Sequence, residues 1–376
     1  MILRPYWLSK IAGAWKKRSV VWLSGVRRVG KTTLVQMVEN CHYLNCDLPS
    51  VQRQLEDPEF FFRSNRDQPV IFDEIHRLSQ PALVLKIAAD EFPDIKILAT
   101  GSSTLAATKK FRDSLTGRKI NIYLPPVLWI ESVEQFGISD FDRRLLHGGL
   151  PEQLLAKDKL YVFFAEWLDS YYARDIQELF GIRNRQGFLK LMKLIFMQSG
   201  GTTDFSSLSK QSGLSRPTVL SHIEALQTAH AVFLVPPYHG GGKREIIKMP
   251  KVYAFDTGMV TFVRGWNEIR TEDRGLLWEH LVLDAFRSNF SFHQIHYWRD
   301  KSGREIDFIL SSGNNEATTF ECKINPDHFN PESLKKFREN YPIGNNYCIC
   351  PVIEQPYRKK YNDLVVEFIS MQHLLT

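Results

Sequence analysis

Gly25-Val26-Arg27-Arg28-Val29-Gly30-Lys31-Thr32 decides how this chain is read. The stretch fits G-x-x-x-x-G-K-[ST] and sits where that pattern has a mechanism. It follows a short apolar run, VVWLSG (20–25), and precedes a segment of helical spacing, TTLVQMVEN (32–40). Glycines let backbone N–H groups turn inward around a phosphate, and a helix beginning near Lys31 adds the positive end of its dipole. Lys31 would reach the β- and γ-phosphates of ATP, and Thr32 would ligate Mg²⁺. The expected phosphate-binding set is Gly25, Val26, Arg27, Arg28, Val29, Gly30, Lys31, Thr32 and Thr33, with Arg27 and Arg28 structural or phosphate-flanking.

Two stretches downstream supply the rest of a nucleotide site. Val70-Ile71-Phe72-Asp73-Glu74 is an apolar strand ending in two carboxylates. Asp73 would hold the Mg²⁺ shell and Glu74 would polarise the attacking water, so the pair points to hydrolysis as well as binding. IKILATGS (95–102) reads as another buried strand. A polar residue at its end would contact the γ-phosphate or the water, and Thr100 and Ser102 are both candidates. Arg118, in LTGRK, follows the last strand of this core. It could neutralise transition-state charge, and reaching a neighbour's nucleotide would require an oligomer. With HYLNCD (42–47) as a strand and PALVLKIAADEFP (81–93) as a helix, the first half alternates β and α. That alternation implies a parallel sheet covered by helices on both faces.

Composition sets the outer bounds. The chain has 376 residues, 43% hydrophobic and 24% charged, which excludes intrinsic disorder as its description and suggests two or three domains. No apolar run reaches the roughly 18 residues of a membrane span. The start, MILRPYWLSKIAGAWKKR, carries charges where a signal peptide needs an apolar core. Five cysteines, none in a C-x-x-C pair, read as reduced thiols of a cytoplasmic protein. The net charge of +6 is concentrated in two blocks. Residues 1–31 hold 8 basic and no acidic side chains, and residues 183–251 hold 10 basic against 3 acidic. A basic block suits phosphate, on a nucleotide or on nucleic acid.

The second basic block contains a helix-turn-helix pattern, DFSSLSKQSGLSRPTVLSHIEAL (204–226). Phe205, Leu208, Leu214, Val219, Ile223 and Leu226 are spaced for a small three-helix core, with Gly213 in the turn. Asp204 and Ser215 fit helix N-caps, and Pro217 fits a first turn. The second helix would expose Arg216, Thr218, Ser221 and His222 to DNA. A basic wing carrying Lys243 and Arg244, in GGGKREIIK (240–248), would rest on the phosphate backbone.

Near the end, LLWEHLVLDAF, EIDFIL and TFECK place Glu279, Asp307, Glu321 and Lys323 on a helix and two strands. Three acids and a lysine could build a second Mg²⁺ site, where Lys323 stabilises charge on a phosphate.

These residues, with LTGR, GGLPE (148–152), YYARDIQELFGIRN (171–184), KVYAFDTGM (251–259) and WRDKSGREIDFIL (298–310), resemble a prokaryotic family of AAA-type P-loop ATPases with a C-terminal half of unassigned function. The resemblance spans nearly the whole chain. It implies an α/β architecture: an AAA-type core (1–128), a helical lid (129–184), a winged helix-turn-helix (185–262) and a restriction-endonuclease-like domain (270–376). It implies the roles given above for Lys31, Thr32, Asp73 and Glu74, and favours Arg118 as an arginine finger. ECKIN departs from relatives, which usually carry valine at position 322 and small polar residues after the lysine. The expected activity is Mg²⁺-dependent ATP hydrolysis by a homo-oligomer, a ring among the options, that engages DNA. Two alternatives are an ATP-gated metal-dependent nuclease and a non-nucleolytic regulator whose ATP site controls assembly with a protein partner.

Overall fold

A computed structural model of the chain describes residues 2–101, 109–177, 180–239, 249–290, 294–311 and 316–375. The chain forms two compact units. The first comprises Met1–Pro125, Asp169–Gly181 and Thr228–His230, and the second Pro126–Leu168, Ile182–Gln227 and Ala231–Thr376.

The first unit is built on a five-stranded sheet of β1 (Val20–Ser24), β2 (His42–Asn45), β3 (Val70–Asp73), β4 (Ile97–Thr100) and β5 (Lys119–Tyr123). Every pairing is parallel, in the order β2-β3-β4-β1-β5. All residues of β1, β3 and β4 are buried, as expected of central strands covered on both faces. Trp22, Phe62, Phe72, Leu85 and Ile97 pack in the core beneath. The order reverses direction beside β1, whose neighbours are β4 and β5. In open parallel sheets ligands bind at the carboxyl end of such a switch point.

Three local features differ from the sequence reading, the first being that Arg118 precedes the last strand of the sheet, β5, instead of following it. The helix after the glycine-rich loop covers only Lys31–Val35, where the spacing had suggested a run to residue 40. Beyond it Met37 and Val38 donate to Leu34 and Val35, three residues back, so the helix tightens and closes at Asn40, which has φ 49°. The N-terminal stretch forms a helix, Pro5–Trp15, which buries Trp7, Ile11 and Ala14 at helical spacing.

The second unit begins with short helices, among them Phe141–His147 and Pro151–Leu155. The expected helix-turn-helix follows as Phe205–Ser212 and Arg216–Thr228, preceded by a helix at Arg185–Met197. Asp204 accepts from the Ser206 N–H (2.9 Å) and Ser215 from the Thr218 N–H (3.3 Å), so both expected caps form. β6 (Val232–Val235) pairs antiparallel with β7 (Lys251–Ala254). The basic segment between them, with Lys243 and Arg244, lies outside the described residues.

The C-terminal sheet contains β8 (Ile295–Arg299), β9 (Glu305–Ser311), β10 (Ala317–Cys322), β11 (Asn346–Cys350), β12 (Tyr357–Tyr361) and β13 (Leu364–Ser370). Its order is β12-β13-β11-β10-β9-β8, with parallel pairing at β10/β11 and β11/β13 and antiparallel pairing elsewhere. The helix Thr271–Asn289 is tied to this sheet where Trp278 Nε1 donates to the Ile349 carbonyl at 3.0 Å. β12 and β13 extend the sheet beyond the expected strands. All five cysteines are free thiols, and among the described residues no helix is long and apolar enough to cross a membrane.

One buried chain of hydrogen bonds pins this unit together. The Ala254 N–H donates to Ser199 Oγ (2.7 Å), and Ser199 Oγ and His280 Nε2 lie 2.6 Å apart. His280 Nδ1 lies 2.9 Å from the Leu276 carbonyl. The carbonyl can only accept, which assigns the proton to Nδ1 and leaves Nε2 to accept from the serine. Burial pushes the His280 pKa down to about 4. The unfolded chain therefore binds a proton between about pH 6.5 and pH 4 that the folded unit refuses. Stability is complete above that window and falls as pH drops through it. Denaturant titration of the second unit should show a loss on the order of 3 kcal/mol from this group on going from pH 7 to pH 4. His280→Gln should flatten that pH dependence.

Candidate nucleotide-binding site

The loop between β1 and the helix Lys31–Val35 has the backbone of an anion cradle. Gly30, at φ 95° and ψ 26°, is the N-cap residue of the helix. A Cβ on Gly25 would lie 2.5 Å from the Leu124 carbonyl oxygen and 3.2 Å from Val29 Cγ1, so only glycine fits. Arg28 also holds a positive φ, 62°. Val26 and Val29 bury their side chains, which leaves their backbone as what they can offer a ligand. Thr32 and Thr33 are exposed in the first helical turn. Lys31 folds over the loop, with Nζ donating to the carbonyls of Gly25 (2.9 Å) and Val26 (3.2 Å). Burial lowers the Lys31 pKa, and the carboxylates of Glu74, Asp175 and Asp73 oppose that shift. A lysine held in this way by carbonyls of its own loop gains by exchanging them for phosphate oxygens.

The acidic end of β3 is clamped from both sides. Asp73 is 2% exposed, and each of its oxygens accepts a hydroxyl: Thr100 Oγ1 at 2.5 Å from β4 and Tyr43 OH at 2.8 Å from β2. Burial and the Asp73 contact push the Tyr43 pKa up to about 12, so the phenol stays a donor at neutral pH. Thr100 Oγ1 in turn accepts the Glu74 N–H at 2.9 Å. The chain turns sharply there, with Glu74 at φ 56°, which sends its carboxylate away from the strand. Glu74 Oε2 lies 3.1 Å from His76 Nδ1. Burial acts to raise the Glu74 pKa, but the His76 contact and the charges of Lys31 and Arg27 hold it below the ordinary range. The carboxylate is thus ionised at neutral pH.

Thr100 therefore takes a different part from the one its sequence position suggested. Its hydroxyl is fully buried and bonded to Asp73 and Glu74, which makes it a positioning residue for the acidic pair. Ser102 lies outside the described residues. Arg118 is on the surface, where Nε contacts Asp90 Oδ1 at 2.6 Å. The sequence reading missed Asp175. It lies in a π-helical turn, Tyr172–Gln177, and its Oδ2 approaches Arg27 Nη1 to 3.6 Å. Its signal was an acid within YYARDI, a motif that had been noted without a role.

The other candidates fall in the second unit. Arg216 and Ser221 are exposed as expected, while Thr218 is half-buried with its hydroxyl 2.7 Å from the capping Ser215. His222 corrects the sequence reading: it is 6% exposed, edge-on to Phe188, with no hydrogen bond to either ring nitrogen among the described residues. It sits three residues after Val219 and next to Ile223, on the apolar side of its helix, and burial lowers its pKa.

At the C-terminal sheet, Lys323 Nζ meets Glu321 Oε2 at 2.8 Å and Asp307 Oδ2 at 3.6 Å. Glu279 instead accepts from Lys251 Nζ (3.2 Å) and Tyr253 OH (2.9 Å), and Lys251 also reaches Glu305 at 2.5 Å. Burial, reinforced by neighbouring acids, raises the pKa of both Glu279 and Glu321. Among the described residues no three Asp, Glu, His or Cys side chains are grouped to share one metal ion. Lysines stand between these acids.

Comparisons with known proteins agree with the first unit and leave the second without a function. Residues 17–133 match the family model described as an AAA domain. Residues 138–270 and 274–373 match two domains of unknown function, DUF8612 and DUF4143. The uncharacterized proteins Mb2031c of Mycobacterium bovis and Rv2008c of Mycobacterium tuberculosis are each 26% identical over 317 residues, covering 80% of this chain and 70% of the relative. Among solved structures, the Bacillus subtilis DNA clamp loader delta protein (YqeN) aligns with 10% identity and a TM-score of 0.27, over 59% of this chain and 88% of its own. The Thermococcus gammatolerans McrB AAA+ hexamers with bound McrC align with 10% identity and a TM-score of 0.21, over 48% and 46%. A DNA polymerase III gamma subunit-related protein of Thermotoga maritima aligns with 12% identity and a TM-score of 0.23, over 58% and 95%. Overlaps this slight carry no argument. The domain match bears out the AAA-type part of the resemblance.

The clamp on Asp73 gives a direct stability test. Thr100→Val removes one hydroxyl that serves two buried groups, and should cost about 1–3 kcal/mol of unfolding free energy for the first unit. Thr100→Ser should retain most of it in the same urea titration.

Proposed function

We propose that the chain is an AAA-type ATPase that hydrolyses ATP with Mg²⁺, assembles with copies of itself and engages DNA. One observation carries this reading: the Asp73–Thr100–Glu74 junction and Lys31 meet at the carboxyl edge of the sheet, beside a loop that only glycine can build. The donor set fits a nucleoside triphosphate with a divalent ion. Loop amides of residues 25–33 and Lys31 would hold the β- and γ-phosphates, and Thr32 and Asp73 would hold the ion. When bound, Mg²⁺ supplies neutralising charge on the phosphates. Glu74, ionised and turned out of the strand, accepts a hydrogen bond from the attacking water and orients it. Its depressed pKa suits orientation better than full proton abstraction. Arg118 would exchange its exposed Asp90 partner for phosphate on a neighbouring copy, since such surface pairs are weak.

DNA engagement draws on the basic excess of residues 183–251 and on exposed Arg216 and Ser221. A second reading, cleavage of nucleic acid, is favoured by Lys323 meeting both Asp307 and Glu321. Protons held on the raised carboxylates would then give way to a divalent ion.

Lys31→Ala should abolish nucleotide binding, and Glu74→Gln should bind ATP yet lose about 10²–10⁴-fold in turnover. Full turnover by Glu74→Gln would remove it as the water-orienting group. Added DNA should raise the hydrolysis rate, and the effect should fall steeply with salt. For the second reading, Mn²⁺-dependent nicking that disappears in Asp307→Ala is expected. A preparation that cuts no DNA under any divalent ion contradicts it.

A further inference from the structure

The first unit contains a piece of chain that composition would assign elsewhere. After Pro125 the chain builds helices of the second unit, then returns as Asp169–Gly181. The returning segment is the end of the helix Tyr161–Tyr171 and the π-helical turn Tyr172–Gln177. A π turn carries an extra residue per turn, costs hydrogen-bond geometry, and is found mostly where function requires a side chain to be re-aimed. Here Tyr171, Tyr172 and Ile176 are buried and anchor the turn, and Asp175 is aimed at Arg27 of the glycine-rich loop.

Three carboxylates lie near two of the loop's three cations, Arg27 and Lys31. Two of them have fixed partners: Asp73 is held by Thr100 and Tyr43, and Glu74 by its backbone bond to Thr100 and its contact with His76. Asp175 is held differently. Its Oδ2 is buried, accepts no hydrogen bond within normal distance among the described residues, and has the Arg27 guanidinium at 3.6 Å. Burial raises its pKa, while the charges of Arg27 and Lys31 and the Arg27 side-chain contact favour the ionised form. A carboxylate in this position repels an incoming phosphate and competes with it for the same arginine.

We propose that Asp175 is a nucleotide-sensing positioning residue: its carboxylate holds Arg27 in the absence of ATP, and the triphosphate takes that arginine and expels Asp175. This rests on the ATP site proposed above and adds its regulation. The helix that ends in the π turn begins with Tyr161–Leu168, which belong to the second unit. Release of Asp175 would therefore loosen the returning segment and pass the nucleotide state along a continuous chain.

The test is a titration of the full chain with a fluorescent ATP analogue and Mg²⁺. Wild type is compared with Asp175→Asn, Arg27→Gln and the double variant. Removing the competing charge should tighten binding about fivefold, as expected for a partly exposed ion pair. The gain should vanish in the Arg27→Gln background, because the two residues act through one contact. Unchanged or weaker binding by Asp175→Asn, or a gain that survives Arg27→Gln, overturns the proposal. Hydrogen exchange on wild type supplies a second readout that needs no variant. Amides of residues 172–177 should exchange faster with ATP than without it, and unchanged or slower exchange overturns the proposal. Failure of wild type to take up the analogue at all would instead overturn the ATP site itself.

Discussion

A carboxylate with 2% of its surface exposed has to be paired, because an unpaired buried charge costs several kcal/mol. Asp73 meets that demand with two hydroxyls, one from each neighbouring strand. The solution ties β2, β3 and β4 together at their carboxyl ends. It also consumes the Thr100 hydroxyl in both directions, since Thr100 accepts from the Glu74 backbone while donating to Asp73. The turn at Glu74 follows, and with it the placement of an ionised carboxylate opposite Lys31. The chemistry proposed for this edge depends on that one satisfied group.

Each of the two side-chain clusters described above gathers more carboxylates than cations, and the two resolve the excess differently. In the first, Lys31 bonds carbonyls of its own loop and Arg27 faces Asp175, partners that the proposed phosphate would replace. In the second, the Lys251 side chain is 3% exposed and bound between Glu279 and Glu305, while Lys323 bridges Glu321 and Asp307. Removing a buried lysine of that kind would strand its acids, so Lys251 is a structural necessity whatever the acids do. The same accumulation of negative charge adds to burial in raising Glu279 and Glu321.

Much of the first unit was legible because its strands are continuous apolar runs with punctuation: a glycine-rich turn after β1 and acids after β3. The helix Pro5–Trp15 was equally readable from Trp7, Ile11 and Ala14, but the stretch was weighed only for its charges. β12 was not readable. Its residues, YRKKY, are nearly all exposed at the edge of a sheet, where charge guards against aggregation and erases the alternation that marks a strand. His222 misled because a histidine on a short helix beside Ser221 looks solvent-facing; its place in the core is set by Phe188, from a helix some thirty residues earlier. Asp175 shows the deeper limit. Its role depends on a π turn and on a segment that leaves one unit and comes back to the other, and neither periodicity nor spacing encodes that return. The C-terminal acids were found, but Lys251 was missed because it sits alone on β7, far in sequence from Glu279 and Glu305.

In the function proposed above, the loop of residues 25–33 receives a triphosphate. Hydrogen exchange of the full chain, with and without ATP and Mg²⁺, tests it most directly. Strong slowing is expected at the amides of Val26–Thr33, with little change in the sheet β8–β13. Equal exchange of those loop amides in both states, at saturating nucleotide, would contradict it.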